Sequence, residues 1–192
     1  MDGEKTKSTA FFSRLAAGIT PYTAGEQPNG RQFVKLNTNE NPYPPAPAVY
    51  EALKNFDAVS LRLYPAPDAD ALRDTIAAAE GVRRENVFCG NGSDEVLALS
   101  VPAFFDPGGK GACFADVTYS FYPVFCEFHA VPQKIVPLRE DFSLDLNAFS
   151  RTDCQGYIIA NPNEPTGMGI PEAQMFSFVA AHPDKIVIVD EA

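Results

Sequence analysis

Histidine and cysteine are scarce in this chain of 192 residues, with two of the first and four of the second. His129 and His182 stand at no ligand spacing from Cys89, Cys113, Cys126 or Cys154, and the cysteines match no metal-binding pattern, so all six are expected in packing or surface positions. No metal site is expected. Positive charge is also short: 15 Lys and Arg face 25 Asp and Glu, a formal charge of −10. Such a surface repels phosphate backbones and anionic lipid, which argues against nucleic-acid and membrane-surface partners but leaves room for a local pocket holding a small anion. No apolar run is long enough to cross a bilayer. The opening MDGEKTKSTAFFSRLAAG carries charges and lacks the long apolar core of a secretory signal. Internal repeats and low-complexity tracts are missing as well. A soluble protein in a reducing, cytoplasmic setting fits these absences.

Proline, by contrast, is plentiful at 17 residues. PYPPAP (42–47) and PAP (65–67) bracket one helical stretch, so the N-terminal third reads as an arm lying over something rather than a layered core. AVYEALKNF (48–56) reads as a short helix. DADALRDTIAAAEG (68–81) is a longer one, with Leu72, Ile76 and Ala79 on one face and Gly81 as its stop. NVFCG (86–90) is a strand candidate leading into a helix capped by Ser93 or Asp94. Pro102 predicts a kink or break in that helix.

Beyond it, GACFAD (111–116), KIVPL (134–138), GYIIAN (156–161) and KIVIVDEA (185–192) read as strands. SFYPVFCEFHA (120–130) reads as a broken helix. PEAQMFSFVAAH (171–182) is helical with Pro171 in its first turn. The later strands are continuous apolar runs, the pattern of strands buried on both faces. The expectation is therefore a mainly parallel α/β sheet with covering helices, which binds ligands beyond the carboxyl ends of its strands.

Three such ends carry chemistry. CGNGSDE (89–95) runs a strand into glycines and a helix N-terminus, where free N–H groups can hold a phosphate; taken in isolation, a plain turn with an N-cap is the stronger explanation. Asp94 and Glu95 favour the same positive end, so an anion there requires both carboxylates to turn aside. NPNEPTG (161–167) is stiffened by two prolines and offers an Asn amide, though a rigid connection is the competing explanation. IVIVDEA ends an apolar strand on Asp190, a carboxylate that needs a partner: a metal, the next helix, or a protonated heterocyclic nitrogen. Together they offer a phosphate cradle, an amide for a phenolic oxygen and a carboxylate for a pyridinium. That set suits pyridoxal phosphate, with Tyr119 available to lie against its ring.

The same segments carry a resemblance. PYTAGEQP (21–28), KLNTNENPYPPAP (35–47), LRLYPAPDADALR (61–73), NVFCGNGSDEVLAL (86–99), FADVTYSFYPV (114–124), IIANPNEPTG (158–167) and VIVDEA (187–192) resemble, in order, the fold-type I pyridoxal-phosphate aminotransferases. The closest resemblance is to their histidinol-phosphate branch. It implies that residues 1–62 form an N-terminal arm and part of a small domain, and that 63–192 form the first half of the large cofactor-binding domain. Gly92, Ser93 and Asp94 would hold the cofactor phosphate through backbone groups. Tyr119 would stack on the ring, Asn163 would bond the ring hydroxyl, and Asp190 would pair with the ring nitrogen. Tyr64 would reach the phosphate in the neighbouring subunit of a homodimer, and Tyr22 and Asn39 would line the substrate pocket. Glu164 departs from the pattern, standing where the family often has Asn or Ala.

The implied activity is amino transfer between L-histidinol phosphate and 2-oxoglutarate in histidine biosynthesis. A related aromatic aminotransferase, a threonine-phosphate decarboxylase, a non-catalytic chain and a simple phosphate-binding domain are the alternatives. The family's cofactor-bearing lysine lies well beyond the DEA segment, so no catalytic lysine is expected here and the 192 residues read as the front half of an enzyme, inactive alone. Lys185 does not replace it, because five strand residues at about 3.3 Å each place it roughly 17 Å from Asp190.

Overall fold

A computed structural model describes residues 11–19, 34, 36 and 39–192. Packing divides the chain into two compact units, one lying within Thr23–Cys89 and the other comprising Gly90–Ala192 together with the N-terminal segment up to Tyr22.

Helix α1 (Arg14–Gly18) is capped by the Ser13 side chain, which accepts from the Ala16 N–H. In the Thr23–Cys89 unit, α2 (Pro47–Lys54) begins on a proline, the position where a missing N–H costs nothing. A 3-10 turn over Ala58–Arg62 follows, and then α3 (Asp70–Glu80), which stops at Gly81 in the left-handed region as expected. Its expected inner face is displaced: Ala77 is buried, whereas Leu72 and Ala79 are exposed.

The strand expected over 86–90 does not form. Arg84–Asn86 makes a 3-10 turn and the backbone after it joins no ladder among the described residues. The Arg73 guanidinium takes the carbonyls of Val87 and Arg84 at 2.8 and 3.0 Å, where a neighbouring strand would otherwise have donated.

The other unit carries the sheet. Helix α4 (Gly92–Phe104) leads to β1 (Ala112–Ala115), α5 (Phe121–Phe128), β2 (Gln133–Val136), α6 (Leu146–Arg151), β3 (Gly156–Ala160), α7 (Glu172–Ala180) and β4 (Ile186–Asp190). The strands are parallel in the order β2-β1-β3-β4, as the continuous apolar runs predict.

Successive residues of β1 and β3 point to opposite faces, and both faces are covered. Cys113, Ala115, Tyr157 and Ile159 pack with Phe149 of α6 and Phe178 of α7. Ala112, Phe114, Ile158 and Ala160 pack with Leu97 and Val101 of α4 and with Tyr122 and Cys126 of α5. Gly156 is required where β3 meets β4, because a Cβ there would press into the Ile186 side chain and lie 2.6 Å from its carbonyl. The four cysteines are free thiols, three of them buried.

Two prolines behave more mildly than expected. Helix α4 continues through Pro102 to Phe104, since the proline falls in its last turn. Helix α5 is unbroken, because Pro123 sits in the first turn, where no intrahelical N–H bond is lost. Pro171 stands one place earlier than expected, as the N-cap of α7. Helix α6, capped by Asp145 accepting from Asn147 and Ala148, was not expected from its apolar spacing.

Candidate active site

All four strands run the same way, so their carboxyl ends share one rim. The segments leaving β1, β3 and β4 are joined there by side chains. Asn163, only 1% exposed, donates its amide to the Val117 carbonyl at 2.9 Å and to Thr166 Oγ1 at 3.1 Å. Its backbone N–H donates to Met168, and the Gly167 N–H returns to its carbonyl, so NPNEPTG is closed on itself. Asn161 braces the same loop from outside: its Oδ1 accepts the Ile170 N–H at 2.7 Å and its Nδ2 donates to the Ile170 carbonyl. The Asn161 N–H bonds the Asp190 carbonyl at 2.8 Å, tying this loop to the end of β4.

The helix end sits at the same rim. The N-cap of α4 is Asn91, in place of the expected Ser93 or Asp94, because the Glu95 carboxylate reaches back to the Asn91 N–H at 2.6 Å. Gly92 follows with φ +81, where a side chain would be strained and where space beside it is open. The N–H groups of Ser93 and Asp94 lie in the first turn and have no i−4 carbonyl within the helix. Both carboxylates there are turned to other partners: Glu95 to Asn91, and Asp94 to the Tyr119 phenol, which donates to Oδ1 at 2.7 Å.

From Tyr119 the contacts continue across the rim. Its ring meets Tyr122 edge-on, centroids 5.6 Å apart at 80°, and stacks against Phe121 at 5.7 Å and 27°. Tyr122 is fully buried and donates its phenol to Asp190 Oδ2 at 2.7 Å. Burial, then the bond to Asp190, pushes that phenol well above the ordinary tyrosine range. Asp190 is half-buried, and its other oxygen accepts the Ala192 N–H at 3.1 Å. The helix N-terminus, Tyr119 and Asp190 are thus one connected set, as are Asn163 and the loop after β1.

Residues 31–192 match the family model described as aminotransferase class I and II. The chain belongs to that family. It is 47% identical to the histidinol-phosphate aminotransferase of Clostridium botulinum (strain Okra / Type B1) over 182 residues, 95% of this chain and 51% of the relative. It is also 47% identical, with the same coverage, to histidinol-phosphate aminotransferase 2 of Gluconobacter oxydans. Among solved structures, the histidinol-phosphate aminotransferase of Sinorhizobium meliloti in complex with pyridoxal-5'-phosphate matches with a TM-score of 0.78 at 24% identity, over 97% of this chain and 52% of that one. N-Succinyldiaminopimelate aminotransferase from Mycobacterium tuberculosis matches at 0.65 and 26%, over 76% and 42%. The chain spans about half the length of the curated relatives it matches.

Within the aminotransferase fold the remaining site candidates are placed as follows. Asn39 and Tyr64 belong to the Thr23–Cys89 unit and are exposed, Asn39 with φ +50. Tyr22 lies outside the described residues. Lys185 sits just before β4, at the opposite end of that strand from Asp190, donating to the Tyr157 phenol at 3.1 Å and the Thr152 carbonyl at 3.4 Å. Tyr122 was not singled out from the sequence; its signal was the i, i+3 spacing from Tyr119 at the start of a helix that follows a strand end.

Proposed function

We propose that the protein carrying this chain is a pyridoxal-phosphate-dependent aminotransferase that moves an amino group between L-histidinol phosphate and 2-oxoglutarate. In this reading it works in histidine biosynthesis as a cytoplasmic homodimer. The carrying observation is the convergence at one rim of a helix N-terminus, an aromatic ring and a carboxylate, linked through Asp94–Tyr119 and Tyr122–Asp190. The names of the relatives at 47% identity support the choice of substrate.

The residues present fit the cofactor. The first-turn N–H groups of Ser93 and Asp94 would hold its phosphate, helped by the helix dipole and by carboxylates already turned aside; Gly92, whose own N–H donates to the Gly90 carbonyl at 3.1 Å, would leave the phosphate room to approach the backbone. Tyr119 would lie against its ring. Asp190 keeps a free lone pair on each oxygen, so it would hold a proton at the ring nitrogen. Both amide N–H bonds of Asn163 go to protein acceptors, while its Oδ1 is buried with no partner, so it would accept from the ring hydroxyl. When bound, pyridoxal phosphate supplies the electron sink for chemistry at the substrate's α-carbon.

Tyr64 is assigned to the phosphate of a neighbouring subunit, and Tyr22 and Asn39 to the substrate pocket. Residues 1–62 are assigned to an arm with part of a small domain, and 63–192 to the first half of the large domain. Lys185, at the far end of β4 from this rim, is not assigned to the cofactor, and that role is assigned to a lysine elsewhere in the protein.

The test is turnover by the product of the complete reading frame, with 2-oxoglutarate and either histidinol phosphate or phenylalanine. Faster use of histidinol phosphate is expected. Preference for phenylalanine overturns the substrate assignment, and failure to bind pyridoxal phosphate overturns the whole reading.

A further inference from the structure

Asp190 ends an edge strand, and its carboxylate joins the chain through a torsion that is broad and two-fold in an unconstrained side chain. Two donors fix it here. The Ala192 N–H, two residues on, holds Oδ1 at 3.1 Å, and the Tyr122 phenol holds Oδ2 at 2.7 Å from a helix 68 residues away. Only the second is anchored in the core. Tyr122 has no exposed surface, and its ring is wedged edge-on between Phe114, at 5.9 Å and 63°, and Tyr119, at 5.6 Å and 80°. Its hydroxyl therefore cannot swing away without repacking that face of the sheet.

We propose that Tyr122 is a positioning residue: its phenol sets the plane of the Asp190 carboxylate so that this group meets the pyridine nitrogen of pyridoxal phosphate. The inference rests on the cofactor assignment made above. A phenol is suited to the task because it donates one directed bond and carries no charge to compete with a ring N–H for the carboxylate. The same buried ring also supports Tyr119, whose hydroxyl is committed to Asp94. One side chain thus spaces the nitrogen contact from the ring-packing tyrosine.

The test compares two probes on the product of the complete reading frame: pyridoxal phosphate, and its isostere with the ring nitrogen replaced by C–H. Y122F keeps the ring and removes the donor. It should weaken pyridoxal phosphate binding by about tenfold, the scale of a bond to a charged group, and leave the isostere's affinity unchanged. D190N should abolish the preference for pyridoxal phosphate, and adding Y122F to it should cost nothing further. Equal losses for both probes in Y122F, or no loss for either, overturn the proposal and leave the cofactor assignment standing. Wild-type protein that ignores pyridoxal phosphate, or a D190N variant with undiminished preference, overturns the assignment itself and the proposal with it. Should Y122F fold poorly, the wild type decides by NMR of ring-13C tyrosine. The Tyr122 resonance should move with pyridoxal phosphate and stay put with the isostere; equal movement or none overturns the proposal.

Discussion

The side-chain amide of Asn163 donates to the backbone carbonyl of Val117, so a loop that follows β3 is fastened to one that follows β1, 46 residues earlier. The bond also settles which way the amide faces. A rotated amide would set Oδ1 against the Val117 carbonyl, oxygen to oxygen, so Nδ2 points to Val117 and Oδ1 is left buried and unpaired.

Replacing Asn163 by Ala should destabilise the fold by about 1 kcal/mol, because the buried amide no longer bonds the Val117 carbonyl and Thr166 and so no longer ties the two loops together. Asn163→Asp should cost more, since it places a carboxylate against that carbonyl. Urea unfolding of both variants gives the comparison, and an Asp variant more stable than the Ala variant would contradict the geometry.

At the start of α4, Asp94→Asn should weaken the helix by about 0.3–1 kcal/mol through loss of a first-turn charge. It should at the same time tighten binding of inorganic phosphate, because one negative group leaves the positive helix end. Titration calorimetry with phosphate and a thermal melt of the same variant read the two opposite effects.

Gly156→Ala forces a methyl into Ile186 across the β3–β4 ladder. The expected loss is about 1–3 kcal/mol or more, the range for overpacking a filled core. Hydrogen exchange should show protection falling first along Ile186–Asp190, the partner strand.

The Tyr122 phenol predicts a pH effect with a definite sign. Its folded-state pKa is raised by burial and by the Asp190 bond, so the neutral form is favoured in the fold. Its contribution to stability is whole below the ordinary tyrosine value of about 10 and is lost as the pH climbs beyond it. Denaturation between neutral pH and strongly alkaline pH should therefore show less loss in Tyr122→Phe than in the wild type. Tyrosinate absorbance should appear for Tyr122 only as the chain unfolds.

Sequence patterns were most informative where one local cause decides the outcome. GYIIA carries no charged residue and IVIVD none before its last position, and both became parallel strands. Gly81 stopped its helix through the left-handed backbone it alone tolerates cheaply. Asp190 could be placed at a rim from its position at the end of an apolar run. What stayed hidden depended on partners distant in sequence. Val87 looked like a strand residue, but Arg73 captured its carbonyl. Ser93 and Asp94 looked like caps, yet Glu95 four residues beyond Asn91 supplied the acceptor. Asn163 read as an amide able to donate or accept, and its two donors proved to be spent on Val117 and Thr166. Tyr122 was not singled out at all; it lies in the core, and the direction of its hydroxyl depends on a carboxylate 68 residues away.

The order β2-β1-β3-β4 has a consequence for how this sheet can assemble. As the ribosome releases the chain, β2 arrives to find β1 and takes one flank; β3 then takes the other flank, and β4 extends it outward. Among these four described strands none has to prise apart a pair already made, so they can be laid down in the order of translation. Each addition leaves the earlier hydrogen bonds intact.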